Sequence, residues 1–172
     1  MSIKQFSGYW ASQEDRVVLK LNTTENHLFG FLFTRAMVRN FLEQSQLIVE
    51  QELSREHSER SSKIIQEFQK EHLKKQLSFE DTFEGGTELP LGDIPLLIVS
   101  IDTKMQNRSI AIALVLANNQ VASFEIPFEQ LQALMLLFEE LANQASWNLS
   151  LDGDGNSVAT VNVPVTFSSQ IH

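Results

Sequence analysis

The chain has 172 residues, no cysteine and a formal net charge of -9. Disulfide staples and a thiol nucleophile are therefore excluded, and 42% hydrophobic with 20% charged residues exclude a disordered polar chain. The charge is lopsided: residues 1–75 carry eleven Lys/Arg against ten Asp/Glu, and residues 76–172 carry two, Lys104 and Arg108, against twelve. A nucleic-acid backbone is held by clustered cations, so direct nucleic-acid binding is not expected. An acidic half of this kind serves solubility or meets a basic protein.

In chain order, "VVLKL" at 17–21 reads as an apolar strand, and "TTEN" at 23–26 as a turn whose Asn tolerates positive φ. A second strand follows, with Phe31 and Phe33 two apart and so on one face. Thr34 is placed to cap a helix. The helical pattern then runs without Gly or Pro from about Arg35 to Leu77. From Ser54 to Lys63 it carries no apolar residue, and beyond that Ile64, Ile65 and Phe68 form a narrow apolar stripe. A protruding helical arm is expected, with these three residues as its self-association surface. A break near Ser61–Ser62 is the alternative.

The stretch "SFEDTFEGGTELPLGD" reads as an acidic loop and the best candidate for disorder. Its Glu80, Asp81, Glu84, Glu88 and Asp93 are the candidate docking surface for a basic partner. "IPLLIVSID" from Ile94 then reads as a central strand, and "IAIALVLA" as a strand joined to it through "KMQNRS". "ANN" at 117–119 is a turn, "SFEIP" a strand with Phe124 and Ile126 on one face, and Pro127 fits the opening of a helix. Within that helix "ALMLLF" at 133–138 is apolar all round, so the chain itself or another subunit must cover it. "WNLSL" and "SVATVNVPVTF" around "DGDGN" read as a terminal hairpin.

The two halves echo each other at an offset of 93 residues. Val17–Leu21 falls on Ile110–Leu114, Asn26 on Asn119, Phe31 on Phe124, and Phe41 on Leu134. The expected fold is thus α+β, a mostly antiparallel sheet built from two repeated β-hairpin-helix units with a long protruding helix. It forms one domain: unit one at 16–51, arm and acidic loop at 52–93, unit two at 94–145, terminal hairpin at 147–168. The expected core joins Phe31, Phe33, Val38, Phe41, Phe124, Leu131, Leu134 and Leu141.

Chemical motifs are sparse. "DGDGNS" begins like a calcium loop, but Ser157 stands where Gly is needed and Val163 where a bidentate Glu is needed. His27, His57, His72 and His172 form no H-E-x-x-H pair. Arg35 and Arg39 share a helix face with no glycine to admit a phosphate. No catalytic residue, metal or cofactor is assigned. The start "MSIKQFSGYW" lacks the apolar run of a signal peptide, and no apolar stretch is long enough to span a bilayer, so a cytoplasmic protein with no membrane partner is expected. The leading function is a non-enzymatic protein-binding or assembly factor acting as a homodimer. The alternative is an acidic inhibitor that occupies the basic site of a nucleic-acid-binding protein.

Overall fold

A computed structural model describes residues 1–56, 71, 83–107 and 109–149. It is an α+β fold with strands β1 (Ile3–Ala11), β2 (Arg16–Thr23) and β3 (Leu28–Thr34), helix α1 (Arg35–Glu56), strands β4 (Leu96–Gln106), β5 (Ser109–Leu116) and β6 (Val121–Pro127), and helix α2 (Phe128–Gln144). The six strands form one sheet in sequence order. Every neighbouring pair is antiparallel except β3 and β4. The sequence reading missed β1. Its inward positions are Phe6, Gly8 and Trp10, and the glycine interrupts the apolar alternation by which a strand is recognised.

The hairpin turns form where asparagine stands. Thr23 accepts from the Asn26 N–H at 3.0 Å, and Leu116 accepts from the Asn119 N–H at 2.9 Å. Both asparagines have φ 65°, a left-handed conformation that their short polar side chains tolerate. Asn107, at φ 59°, does the same between β4 and β5. Thr34 Oγ1 accepts from the Met37 N–H at 3.3 Å, so it caps α1 as its position suggests. Pro127 occupies the N-cap of α2 without a side-chain bond.

β3 and β4 pair over only two positions, Phe31 with Leu96 and Leu32 with Leu97. Above that junction the two strands part, and α1 packs against both. Gln44 reaches from α1 into the parting. Its Nε2 donates to the Ile101 carbonyl at 3.0 Å, and its Oε1 accepts from the Thr103 N–H at 2.9 Å. One side-chain amide thus stands in for the neighbouring strand that β4 lacks there. On the far side the sheet curls round until its first and last strands touch, with Ser2 bridged to Glu125 in parallel. The Glu125 N–H donates to the Met1 carbonyl at 3.0 Å. α2 packs against both β1 and β6, and Gln130 Nε2 donates to the Ile3 carbonyl at 3.3 Å.

Both helices lie on the concave face, where all eight residues expected in the core are buried in one cluster. Phe138 sits between Phe33 and Phe41, with ring centroids 4.9 Å and 5.1 Å away. Phe124 meets Phe29 and Phe31 edge-on at 5.3 Å and 5.9 Å. Such pairs add about 0.5–1.5 kcal/mol each beyond area burial. Gly8 lets β1 approach α2, since a Cβ there would lie 3.0 Å from Leu141 Cδ1.

These contacts decide what covers "ALMLLF". Every residue from Ala133 to Phe138 is buried within the chain, so this stretch needs no second subunit to cover it. β1, β5, β6 and α1 all pack against the helix. The proposed arm beyond Glu56, with Ile64, Ile65 and Phe68, lies outside the described residues, as do residues 150–172 of the expected terminal hairpin; residues 147–149 are not strand. Leu134→Ala is expected to destabilise the fold by about 2–5 kcal/mol, the range for a large core deletion. Urea unfolding checks this, and a midpoint equal to that of the unmodified chain would contradict the core assignment.

Candidate functional site

Of the acidic residues singled out, Glu80 and Asp81 lie outside the described residues, and Glu84, Glu88 and Asp93 are exposed. The segment that carries them was expected to be disordered. Its described part, from Phe83 onward, is instead docked on the β2–β3 turn. The Leu28 N–H donates to the Glu88 carbonyl at 2.8 Å, and the Glu88 N–H donates to the Asn26 carbonyl at 3.2 Å. Asn26 Nδ2 donates to Thr87 Oγ1 at 2.6 Å, and Asn22 Nδ2 to the Glu84 carbonyl. Lys4 Nζ stands 2.9 Å from Glu84 Oε2.

Gly86 explains why the docking is this close. A Cβ there would lie 2.5 Å from the Asn26 carbonyl oxygen and 2.7 Å from the His27 carbonyl carbon. Backbone meets backbone, which only glycine permits. Of the two adjacent glycines that suggest flexibility in sequence, Gly86 is thus required by a contact 60 residues away in the chain, at Asn26. The acidic side chains sit on an ordered base, with Glu84 ion-paired to Lys4.

The remaining chemical candidates do not assemble. His27 Nδ1 lies 3.6 Å from Glu25 Oε2, and its ring stands edge-on to Phe29 at 6.2 Å. His57, His72, His172 and the Asp152–Ser157 stretch lie outside the described residues. Arg35 and Arg39 are exposed on the first turns of α1. Among the described residues no three His, Cys, Asp or Glu side chains group as metal ligands would. No described helix is long and apolar enough to cross a membrane. An open hollow of about 440 Å³ runs along Leu47, Glu50, Gln51, Ser54 and Arg55 of α1.

The feature that sequence reasoning missed is on the convex face of the sheet. Alternation along each strand sends Tyr9, Val18, Leu32, Leu97, Val115 and Val121 away from the core, and none of the six belongs to the core cluster. Strand pairing sets them side by side. Tyr9 faces Val18, Val18 faces Leu32, Leu32 faces Leu97, and Val115 faces Val121. Val18, between Tyr9 and Leu32, is itself buried, while Leu32, Leu97, Val115 and Val121 are half-buried. β4 is irregular between Ile98 and Ser100, and Ser100 pairs with Val115. Val99 at this irregularity is 48% exposed, Tyr9 is 52% exposed, and Ile94 just before β4 is 74% exposed. A band of apolar side chains therefore crosses the outside of all six strands. The outward positions of β2 on either side of Val18 hold Arg16 and Lys20.

This band was hard to see because its members are single apolar residues on six different strands. Only the register lines them up. In sequence, Val18 reads as part of a continuous apolar run, and nothing separates it from the core residues Val17 and Leu19.

Compared with known proteins, the chain matches no family model, no curated protein and no solved structure. Gly86→Ala is expected to push the acidic segment off the β2–β3 turn at a cost of about 1–3 kcal/mol, as for other forced overpacking. Hydrogen exchange at the Leu28 and Glu88 amides should quicken. Unchanged protection at both positions would mean the contact yields without consequence.

Proposed function

We propose that the chain is a non-enzymatic protein-binding factor that acts as a homo-oligomer, and that the convex sheet face receives a protein. The observation that carries this reading is the apolar band from Tyr9 to Val121, flanked by Arg16 and Lys20. Along it Tyr9, Val99 and Ile94 are exposed and most of the rest half-buried, and apolar area left open to water is disfavoured and compensated when a partner covers it. An aromatic residue with aliphatic neighbours and a polar rim is the composition such surfaces have. Self-association is assigned to Ile64, Ile65 and Phe68 on the arm, since the other helix-borne candidate is enclosed.

A photo-cross-linking residue at position 9 or 99, in cells that make the protein, is expected to give protein adducts. The same residue in place of Gln13, in the β1–β2 turn, is expected to give none. Equal adducts at all three positions would count against a docking face. For self-association, sedimentation equilibrium at high micromolar concentration is expected to give two chains. Replacing Ile64, Ile65 and Phe68 together by Ser should give a folded monomer. One chain per particle in the unmodified protein would overturn the homo-oligomer.

We also read the fold as two copies of one strand-strand-strand-helix unit. The starts of β1 and β4, β2 and β5, β3 and β6, and α1 and α2 are each 93 residues apart. The turn bonds of Asn26 and Asn119 recur at the same offset. If the units are equivalent, a permuted chain that runs the second unit before the first should unfold in a single cooperative transition. Loss of cooperativity would argue for two dissimilar halves.

A further inference from the structure

β1, β2 and β3 hold three charged residues, and all three are basic: Lys4, Arg16 and Lys20. They stand out in a chain of net charge -9. Arg16 and Lys20 lie on the outward face, two residues to either side of Val18, because Val17, Leu19 and Leu21 are turned into the core. Strand pairing gives Lys20 the neighbours Ser7 and Gly30, and gives Arg16 the neighbours Ala11 and Thr34. Short side chains thus flank both cations, while Tyr9 and Leu32 flank Val18.

At the Asn22 end of β2 an acidic stretch of the chain is already held. Lys4 Nζ pairs with Glu84 at 2.9 Å, the Glu84 N–H donates to Gln5 Oε1 at 3.2 Å, and Asn22 Nδ2 donates to the Glu84 carbonyl. A lysine takes the carboxylate there, and side-chain amides take the peptide group that carries it. The next outward positions along β2 are Lys20, Val18 and Arg16. Lys20 is exposed and makes no ion pair among the described residues. Arg16 Nη1 is 3.8 Å from Glu14 Oε2, and that carboxylate is 60% exposed, so the contact is weak and open to exchange.

We propose that the outward face of β1–β3 receives an extended acidic segment of a partner protein. One apolar side chain of that segment rests on Tyr9, Val18 and Leu32, and the carboxylates two residues to either side pair with Arg16 and Lys20. The inference rests on the reading of the convex band as a docking face and names the chemistry of its partner. The spacing agrees. Four steps along β2 put Arg16 and Lys20 about 14 Å apart, and two carboxylates four residues apart in an extended segment have the same separation. Extended chains stacked face to face on a sheet run within about 30° of its strands, so the two spacings coincide. Nucleic acid is the poorer match, because a polyanion would find two open cations and one exposed aromatic ring, Tyr9, on a body of net charge -9.

The probe is a synthetic peptide, Gly-Ser-Asp-Thr-Leu-Thr-Asp-Ser-Gly, titrated into the full chain while amide shifts are followed by NMR. Saturable shifts at Arg16, Val18, Lys20 and Leu32 are expected, with a Kd of about 1 mM or below. Raising the salt from about 50 to about 300 mM should weaken binding about fivefold. Arg16→Glu with Lys20→Glu should abolish the shifts, whereas Arg16→Lys with Lys20→Arg should keep them; the urea midpoint of each variant checks that it is folded. No shifts in the unmodified chain, or equal shifts with lysine in place of both aspartates, would overturn the proposal. So would tighter binding of a single-stranded oligonucleotide at the same amides, which would make the face a nucleic-acid surface. In cells, the charge-reversed pair should lower the protein adducts from position 9 at least about tenfold. Undiminished adducts that prove to be a second copy of the chain would assign the face to self-association and overturn the acidic partner. Adducts together with a silent titration leave the docking face and remove the acidic segment. Specific shifts without adducts remove the docking reading and leave acid recognition standing.

Discussion

The parallel pairing of β3 with β4 governs where both helices go and how the sheet closes. Two antiparallel three-strand runs meet there over only two residue pairs. A parallel neighbour cannot be reached by a tight turn, so the chain must cross back over the sheet. α1 makes that crossing. The strands diverge beyond the junction, and the backbone groups of β4 would be left unpaired without the Gln44 amide. One glutamine therefore joins helix to sheet by satisfying a donor and an acceptor at once. An unsatisfied buried peptide group costs about 1–3 kcal/mol, which is large beside the net stability of a domain.

Curling of the sheet is the second consequence. With β1 bridged to β6 at Ser2 and Glu125, the concave face becomes an enclosure. α2 fills it. A helix apolar around its whole circumference would be insoluble on an open sheet, and here it is buried from Ala133 to Phe138. Glycine at position 8 leaves room for Leu141 and Leu137 of that helix close against β1, and the same glycine conceals β1 from a reading based on alternation.

The convex face and the acidic segment show why function was less legible than fold. Core positions announce themselves through runs and periods, because each element must bury a face of its own. A surface assembled from one residue per strand has no period along the chain. Tyr9 and Val121 lie 112 positions apart, and only strand order and register make them members of one band. The acidic segment misleads in the opposite sense. Gly85–Gly86 has the composition of a flexible loop, yet Gly86 is required by backbone-to-backbone contact with the β2–β3 turn.

What the sequence by itself determined was local and periodic. Phe31 and Phe33 were placed on one face, Asn26 and Asn119 in left-handed turn positions, and Thr34 and Pro127 at helix starts, because those properties depend on side-chain chemistry and neighbours in the chain. The eight core residues followed from the same periods. Tertiary structure alone decided that β1 joins the sheet, that the apolar stretch Ala133–Phe138 of α2 is buried within the chain, that the acidic segment is anchored through Glu88, and that six outward side chains line up. Each of these depends on contacts between residues far apart in sequence, where the partner and not the local pattern supplies the free energy.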